Sequence, residues 1–225
     1  MTPTRPSALV VIDGDDVYED LFSASLKLAG ILTEAGFAAR TAMGTARLAG
    51  DGETARLASG DADLFVLYTA MGNFPAERQA ALARAVRAGR GLLAVHSSNV
   101  FPDPAATHRT AHRLIGSRYV SHGPEPHHSR FRVHTDQRHP VTRQLAPFEL
   151  THEHYQIETA AGVRVIAWRD TPRGREPVAY LRRAGRGRVC YLQPGHDMRC
   201  WDEPPVRELV TRAARWAARI GEAAR

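Results

Sequence analysis

The chain has 225 residues, 43% of them hydrophobic and 24% charged, which is typical of one globular domain. Its apolar runs are far shorter than the roughly 20 residues that span a bilayer, and the opening segment MTPTRPSALVVIDG lacks the long apolar region of a secretory signal. We therefore expect a cytoplasmic protein without a membrane partner. The net charge of +6 comes from arginines spread along the chain, which argues against nucleic acid as a partner.

The first hundred residues alternate short apolar runs with segments of helical periodicity. Strands are predicted at 8–12, 37–41, 62–68 and 92–95, and helices at 18–35 and 75–86. In the first helix, the apolar positions at helical spacing are Leu21, Phe22, Leu26, Ile31, Leu32 and Ala35. This order of elements predicts an α/β fold with parallel strands, right-handed crossovers and helices on both faces of the sheet.

The second half of the chain is less regular. It predicts a helix at 107–115, strands at 131–134, 163–168, 178–181 and 188–192, and a closing helix at 204–220. A turn at 184–187 joins the last two strands as a hairpin. Because no repeat or linker divides the sequence, we expect a single domain over residues 1–225.

Polar side chains follow several predicted strands at their carboxyl ends, where open α/β sheets bind ligands. Asp13 follows the first strand, and His96 and Ser97 follow the strand at 92–95. His196 and Asp197 follow the strand at 188–192, although Asp197 could instead cap the next turn. His96 could also simply donate a hydrogen bond to a backbone carbonyl of the loop, but its position at a strand end favours a functional role.

All eleven histidines lie between His96 and His196. Histidine titrates near neutral pH and is the commonest metal ligand in proteins. In the loop 121–128, His122 together with His127 or His128 could bind a metal, although solvated side chains are the favoured interpretation of the latter two. Ten of them fall between His96 and His154, so we expect any chemistry to lie in the middle of the chain.

The segment THEHY at 151–155 combines titratable and phenolic side chains. If it is extended, Glu153 and Tyr155 lie on one face, while His152 and His154 lie on the other. Glu153 and Tyr155 opposite His96 would form an acid/base set. An ordinary polar edge strand explains the spacing equally well.

Taken in order, these segments resemble the ThuA-like family, which is named for trehalose utilization and is similar in fold to the class I glutamine amidotransferases. The matching segments are ALVVIDG (8–14), EAGF (34–37), GLLAVHSS (91–98), LIGSRYVSH (114–122), RHPVTRQL (138–145), the Glu153–Tyr155 pair, GRVCYLQPGHD (187–197) with Trp201, and RWAAR (215–219). The resemblance implies a flavodoxin-like three-layer sandwich with a mostly parallel central sheet.

The resemblance also implies carbohydrate metabolism, with keto-sugars or glycosides as the substrate class. We expect three catalytic acid/base residues, His96, Glu153 and His196. Substrate contacts are expected from Asp13, Ser97, His122, Tyr155, Asp197 and Trp201. A divalent metal is an option, with His122 and His154 as candidate ligands. The partner would be a small-molecule carbohydrate, and a homo-oligomer is compatible with the sequence; the alternative is a non-catalytic sugar-binding or assembly protein.

Two departures limit what the resemblance implies. Where the glutamine amidotransferases carry a nucleophilic cysteine at a strand-to-helix elbow, this chain has His96 in VHSS. Without that thiol a thioester mechanism has no nucleophile, so glutaminase activity is excluded. Family members often show a histidine followed by an acidic residue after the first strand, but Tyr18, Glu19 and Asp20 stand there. A metal role of that histidine therefore does not transfer.

Overall fold

The computed structural model describes residues 5–14, 20–48, 62–70, 74–123 and 127–221. Within these residues the strands are β1 (Ser7–Gly14), β2 (Ala38–Met43), β3 (Leu64–Ala70), β4 (Gly91–Val95), β5 (Ser117–His122), β6 (His128–Thr135), β7 (Phe148–Glu153), β8 (Tyr155–Thr159), β9 (Arg164–Thr171), β10 (Gly174–Ala184) and β11 (Gly187–Leu192). The α-helices are α1 (Leu21–Glu34), α2 (Ala76–Arg87), α3 (Arg109–Ile115) and α4 (Pro204–Ala217). No helix in the described part of the chain is both long and apolar enough to cross a bilayer.

Nine of the described strands form one sheet in the order β2-β1-β3-β4-β11-β10-β9-β6-β7. The five strands from β2 to β11 are parallel. The strands β10, β9, β6 and β7 are each antiparallel to the strand before them in this order. The expected parallel sheet thus accounts for one half of a mixed sheet. Strands β5 and β8 pair separately as a two-stranded antiparallel sheet.

Alternate residues of β1 belong to two hydrophobic clusters, because successive side chains of a strand point to opposite faces. Val10 lies in a cluster with buried residues of α1 and α4. Val11 lies in the other cluster, with buried residues of α2 and α3. Both faces of the parallel half are therefore covered, which fits the continuous apolar runs that the sequence shows there.

The first helix differs from the prediction at its start and in its buried face. Asp20 accepts a hydrogen bond from the Ser23 N–H and caps the helix, which begins at Leu21; Tyr18 and Glu19 lie outside the described residues. Phe22 and Leu26 were expected to face the core, but they are 71% and 60% exposed. The stripe that includes Leu21 and Ala24 is buried instead, and Phe22 and Leu26 lie roughly 100–140° away from Leu21 around the helix axis.

Candidate active site

His96 stands at the sharp turn that follows β4. It begins a short 3₁₀ turn over residues 96–99 and is the residue of that turn with a left-handed backbone, at φ +49°. A non-glycine residue in this region is strained by about 1–3 kcal/mol and persists only where surrounding structure enforces it. The side chain is fully buried. Such a strained turn at a strand end is typical of functional positions.

Hydrogen bonds fix the tautomer of the His96 ring. Its Nδ1 lies 2.8 Å from the Gln193 carbonyl oxygen, which can only accept, so Nδ1 carries the proton. The Tyr155 hydroxyl lies 3.0 Å from Nε2 and donates to it, and the two rings stack with their centroids 4.5 Å apart. Nε2 is therefore the basic atom of this imidazole.

His196 reaches the same place from the neighbouring strand. β11 lies beside β4 in parallel register, with Leu192 opposite Val95. Since both histidines follow the carboxyl ends of adjacent strands, the centroids of their rings lie 5.7 Å apart. The structure thus brings together two residues that are separated by a hundred positions in sequence.

Glu153, the last residue of β7, completes the cluster. Its Oε1 lies 2.6 Å from Nε2 of His122. Its Oε2 lies 3.4 Å from Nε2 of His96 and 3.5 Å from Nδ1 of His196. This second oxygen is buried and has no hydrogen-bond partner among the described residues. One carboxylate therefore touches three imidazoles in two different ways.

The environment keeps Glu153 ionised. Burial raises the pKa of Glu153, but contact with His96 and the positive charges of His96, His196 and His122 in their protonated forms outweigh it and lower the pKa from 4.5 to about 2. At neutral pH the centre therefore contains a carboxylate that favours a proton on the neighbouring rings.

His122 links this carboxylate to a phenol. Its Nδ1 lies 2.6 Å from the Tyr119 hydroxyl, while its Nε2 faces Glu153. Burial raises the pKa of Tyr119, a hydrogen bond with the backbone of His122 lowers it, and the nearby charge of Glu153 raises it further, so that the pKa lies above its ordinary value. The phenol is therefore neutral near pH 7 and can donate to Nδ1, which leaves Nε2–H to donate to Glu153.

His152 holds the loop that carries His196, a role that sequence reasoning missed. Its Nδ1 lies 2.9 Å from the Glu153 carbonyl oxygen, so its Nε2 accepts from the N–H groups of Gly195 and His196 at 3.0 and 3.2 Å. Burial, followed by the charge of His96, lowers the pKa of His152 to about 3. The ring therefore stays neutral and can act as an acceptor.

The face assignment expected for THEHY holds for one pair and fails for the other. Glu153 and Tyr155 both contact His96. His152 and His154 do not share a face, because β7 ends at Glu153 and β8 begins at Tyr155, with His154 between them. His154 instead forms a hydrogen bond with Ser129 and packs on Phe131. It therefore lies outside the cluster, although the sequence offered it as a candidate metal ligand.

Four other residues that the sequence predicts to contact substrate lie within the protein as follows, and their contact with substrate stays a prediction. The Asp13 carboxylate accepts from the N–H groups of Gly14 and Thr45. Asp197 caps the turn at 198–201 and pairs with Arg199, whose hydrogen bond lowers the pKa of Asp197 to about 2.

Ser97 is buried beside His96, and its hydroxyl has no partner among the described residues. Trp201 is fully buried, donates to the Pro194 carbonyl and packs edge-to-face on Tyr68. The indole is therefore part of the core, and its expected contact with substrate stays a prediction.

Solvent reaches the cluster from the side of His122 and His196, whose side chains are each 37% exposed. A surface depression of about 470 Å³ opens beside His196, and it is lined by Asp20, His128, His196, Asp197, Met198 and Arg199. Of the residues of the cluster, only His196 lines this depression, and the imidazole of His96 lies buried behind it.

Comparison with known proteins identifies the family. A family model described as ThuA, trehalose utilisation, matches residues 16–217. The chain belongs to the ThuA family. A glutamine amidotransferase-like fold is consistent with this membership, and membership implies carbohydrate metabolism in general terms. A search of curated proteins found no match.

Solved structures share the ThuA fold at low sequence identity. A ThuA-like protein from Parabacteroides merdae is 15% identical, with a TM-score of 0.77 over 99% of this chain and 92% of its own. A ThuA-like protein from Bacteroides uniformis is 17% identical, with a TM-score of 0.72 over 96% and 93%. A β-galactosidase from Rahnella sp. R3 is 12% identical, with a TM-score of 0.66 over 95% of this chain but only 31% of its own.

Proposed function

We propose that this ThuA-family chain is an enzyme that acts on a keto-sugar or an oxidised glycoside by acid/base chemistry. The observation that carries the proposal is the convergence of His96, Glu153 and His196 at the carboxyl edge of the parallel strands. Folds host many functions, so the family supports only the substrate class, and the reaction is inferred from the site. We also infer that the covered sheet corresponds to the flavodoxin-like three-layer arrangement.

The reaction that fits this centre is the removal of a proton beside a ketone. His96 Nε2 takes the proton from carbon, and the electron pair of the broken C–H bond moves toward the carbonyl to form an enolate. The imidazolium that results lies next to the ionised Glu153, which stabilises the new charge. His196 and His122, both partly exposed, can return a proton to the enolate or to a departing glycosidic oxygen.

Turnover of a substrate panel tests the proposal. Purified protein is incubated with trehalose, with its 3-keto derivative and with other 3-keto-glycosides, and sugar products are followed by chromatography. Exchange of the proton beside the ketone for deuterium in D₂O reports the first step directly by NMR. We expect product or exchange with the keto-sugars and none with the parent sugars.

The matched variants are His96→Asn and His134→Asn. Asparagine tolerates the left-handed backbone of position 96 better than most residues, so His96→Asn removes the imidazole with little added strain. His134 pairs with Asp170 and stacks on Trp168, outside the cluster. We expect turnover to fall by about 10²–10⁴-fold in His96→Asn and to stay at the wild-type level in His134→Asn. Sugar binding without turnover or exchange would instead identify a non-catalytic sugar-binding protein.

A further inference from the structure

We propose that Nε2 of His96, Oε2 of Glu153 and Nδ1 of His196 form a binding site for one divalent cation of the zinc type. These three atoms lie within 4.8 Å of one another. Two histidines and one glutamate are a donor set that catalytic zinc sites use, and such sites keep a further position open for water or substrate. The inference deepens the proposed function, and it rests on that function only for the claim that the cluster is the reactive centre.

Two of the three distances within the cluster are close to the separation of two ligands on one ion, and all three atoms lie within 4.8 Å of one another. Two ligands that each lie 2.0–2.1 Å from a tetrahedral zinc are roughly 3.3 Å apart. Oε2 of Glu153 lies 3.4 Å from the His96 nitrogen and 3.5 Å from the His196 nitrogen. Regular hydrogen bonds with nitrogen donors lie at about 2.7–3.2 Å. The two contacts lie beyond this range.

The two oxygens of Glu153 provide an internal comparison. Oε1 makes a short contact of 2.6 Å with His122, whereas Oε2 is buried without a hydrogen-bond partner among the described residues. An ionised oxygen that has only long contacts inside a protein is poorly compensated, because burial removes its hydration. A cation between Oε2 and the two ring nitrogens would satisfy it.

The surroundings hold the ring of His96 and the backbone of His196 in place. A ligating histidine usually donates its other ring N–H to a carbonyl or carboxylate, which fixes the tautomer. His96 does so through the bond from Nδ1 to the Gln193 carbonyl. The backbone of His196 is held by the neutral ring of His152. The sequence-based ligand candidates differ from this set, since His154 lies elsewhere and Nε2 of His122 faces Oε1.

A cation at His96 would replace the hydroxyl of Tyr155 as the partner of Nε2. The cation site therefore predicts different effects of substitutions at the two residues on cation affinity. Removing the His96 imidazole must weaken cation binding, while Tyr155→Phe must leave it unchanged or strengthen it. With the cation bound, Nε2 of His96 would be a ligand and not the base of the proposed reaction, so the metal titration also decides which of these two roles the atom has.

The test is a titration of chelator-treated full-length protein with Zn²⁺, followed by calorimetry, and with Co²⁺, followed by its visible absorption. We expect one tight equivalent and a Co²⁺ spectrum typical of a low-coordinate site. Loss of a residue that only holds a metal ligand in place costs about 10–100-fold in metal affinity, so we expect losses above roughly 100-fold when a ligand itself is removed, in His96→Asn, Glu153→Gln and His196→Ala. Tyr155→Phe and His154→Ala should retain the wild-type affinity. Circular dichroism establishes that each variant is folded.

The inference is overturned if wild-type protein binds no tight equivalent, or if the three ligand variants bind as tightly as wild type. Turnover that persists in chelator, with no bound metal, leaves acid/base catalysis in place and removes only the metal. One tight equivalent without turnover or exchange on any sugar supports the cation site and contradicts the proposed enzyme.

Discussion

Gly195 lies directly against His96. A Cβ atom built on Gly195 would be 2.5 Å from Cβ and 3.2 Å from Cγ of His96, and 3.3 Å from Cε2 of Tyr68. Contacts as short as 2.5 Å do not occur between real side chains, so any larger residue at 195 must displace His96 or the loop. The close approach explains why a glycine precedes His196 at the end of β11.

We therefore expect Gly195→Ala to lower stability by about 1–3 kcal/mol, as overpacking of a core does, and to lower turnover beyond what the loss of folded protein explains. Gly30→Ala is the matched control, because a Cβ there meets nothing within 4 Å and lies inside α1. Alanine should stabilise that helix by about 0.5–1 kcal/mol relative to glycine. Urea denaturation of both variants provides the measurement; equal effects at the two sites would contradict the packing argument.

The neutral ring of His152 predicts how stability depends on pH. Its pKa is about 3 in the folded protein, against 6.5 ordinarily, so between these values the unfolded chain binds a proton that the folded chain does not. The stabilisation is complete above pH 6.5 and is lost as the pH falls, by up to about 1.4 kcal/mol per pH unit.

His152→Gln separates this effect from other titrations. The Gln amide oxygen can still accept a backbone N–H but has no proton to gain. We expect the variant to be less stable than wild type at pH 7, by about 1–3 kcal/mol because the geometry of two acceptor contacts is lost, and to lose less stability between pH 7 and pH 5. Thermal melts across that range measure the slope, and an unchanged slope would rule out a neutral buried imidazole.

Tyr119 acts through His122 as a positioning residue. In Tyr119→Phe, Nδ1 of His122 loses the hydroxyl that donates to it. The proton of the neutral ring is then no longer confined to Nε2, the atom that faces Glu153. We expect kcat to fall by roughly 2- to 10-fold, in line with one lost hydrogen bond of about 0.5–1.5 kcal/mol, and the pH profile of kcat/KM to shift while KM changes little.

Tyr180→Phe is the control for this prediction. The Tyr180 hydroxyl bonds to Ser117 and to the Ile115 carbonyl in the core, and burial raises its pKa far above the ordinary value. Its loss should lower the melting temperature and leave the pH profile of turnover unchanged. A shift of the profile in both variants would mean that Tyr119 has no specific role.

The parallel half of the fold follows from local sequence signals. Its strands are buried on both faces, so they stand out as continuous apolar runs, and glycine or proline marks the ends of the helices. The rule that ligands bind at the carboxyl ends of such strands singled out His96 and His196. Their adjacency, however, depends on β11 lying beside β4, and a pairing between distant segments leaves no local pattern.

The antiparallel half was harder to predict for the same reason. β5 and β8 are partly exposed and carry mixed side chains, so neither has the period of a half-buried strand. Their register sets His122 opposite Tyr155, which brings His122 to the site. His152 gave no distinguishing signal, because an acceptor bond to the backbone of a remote loop depends entirely on tertiary structure.

The most direct measurement of the central claim is a double-mutant cycle on kcat/KM for His96→Asn and Glu153→Gln with a keto-sugar substrate. If both side chains serve one reactive centre, each variant loses about 10²–10⁴-fold and the double variant loses little more than the worse single variant, because residues that act as a unit are not additive. Wild-type turnover in either single variant, or losses that simply multiply, would contradict the account.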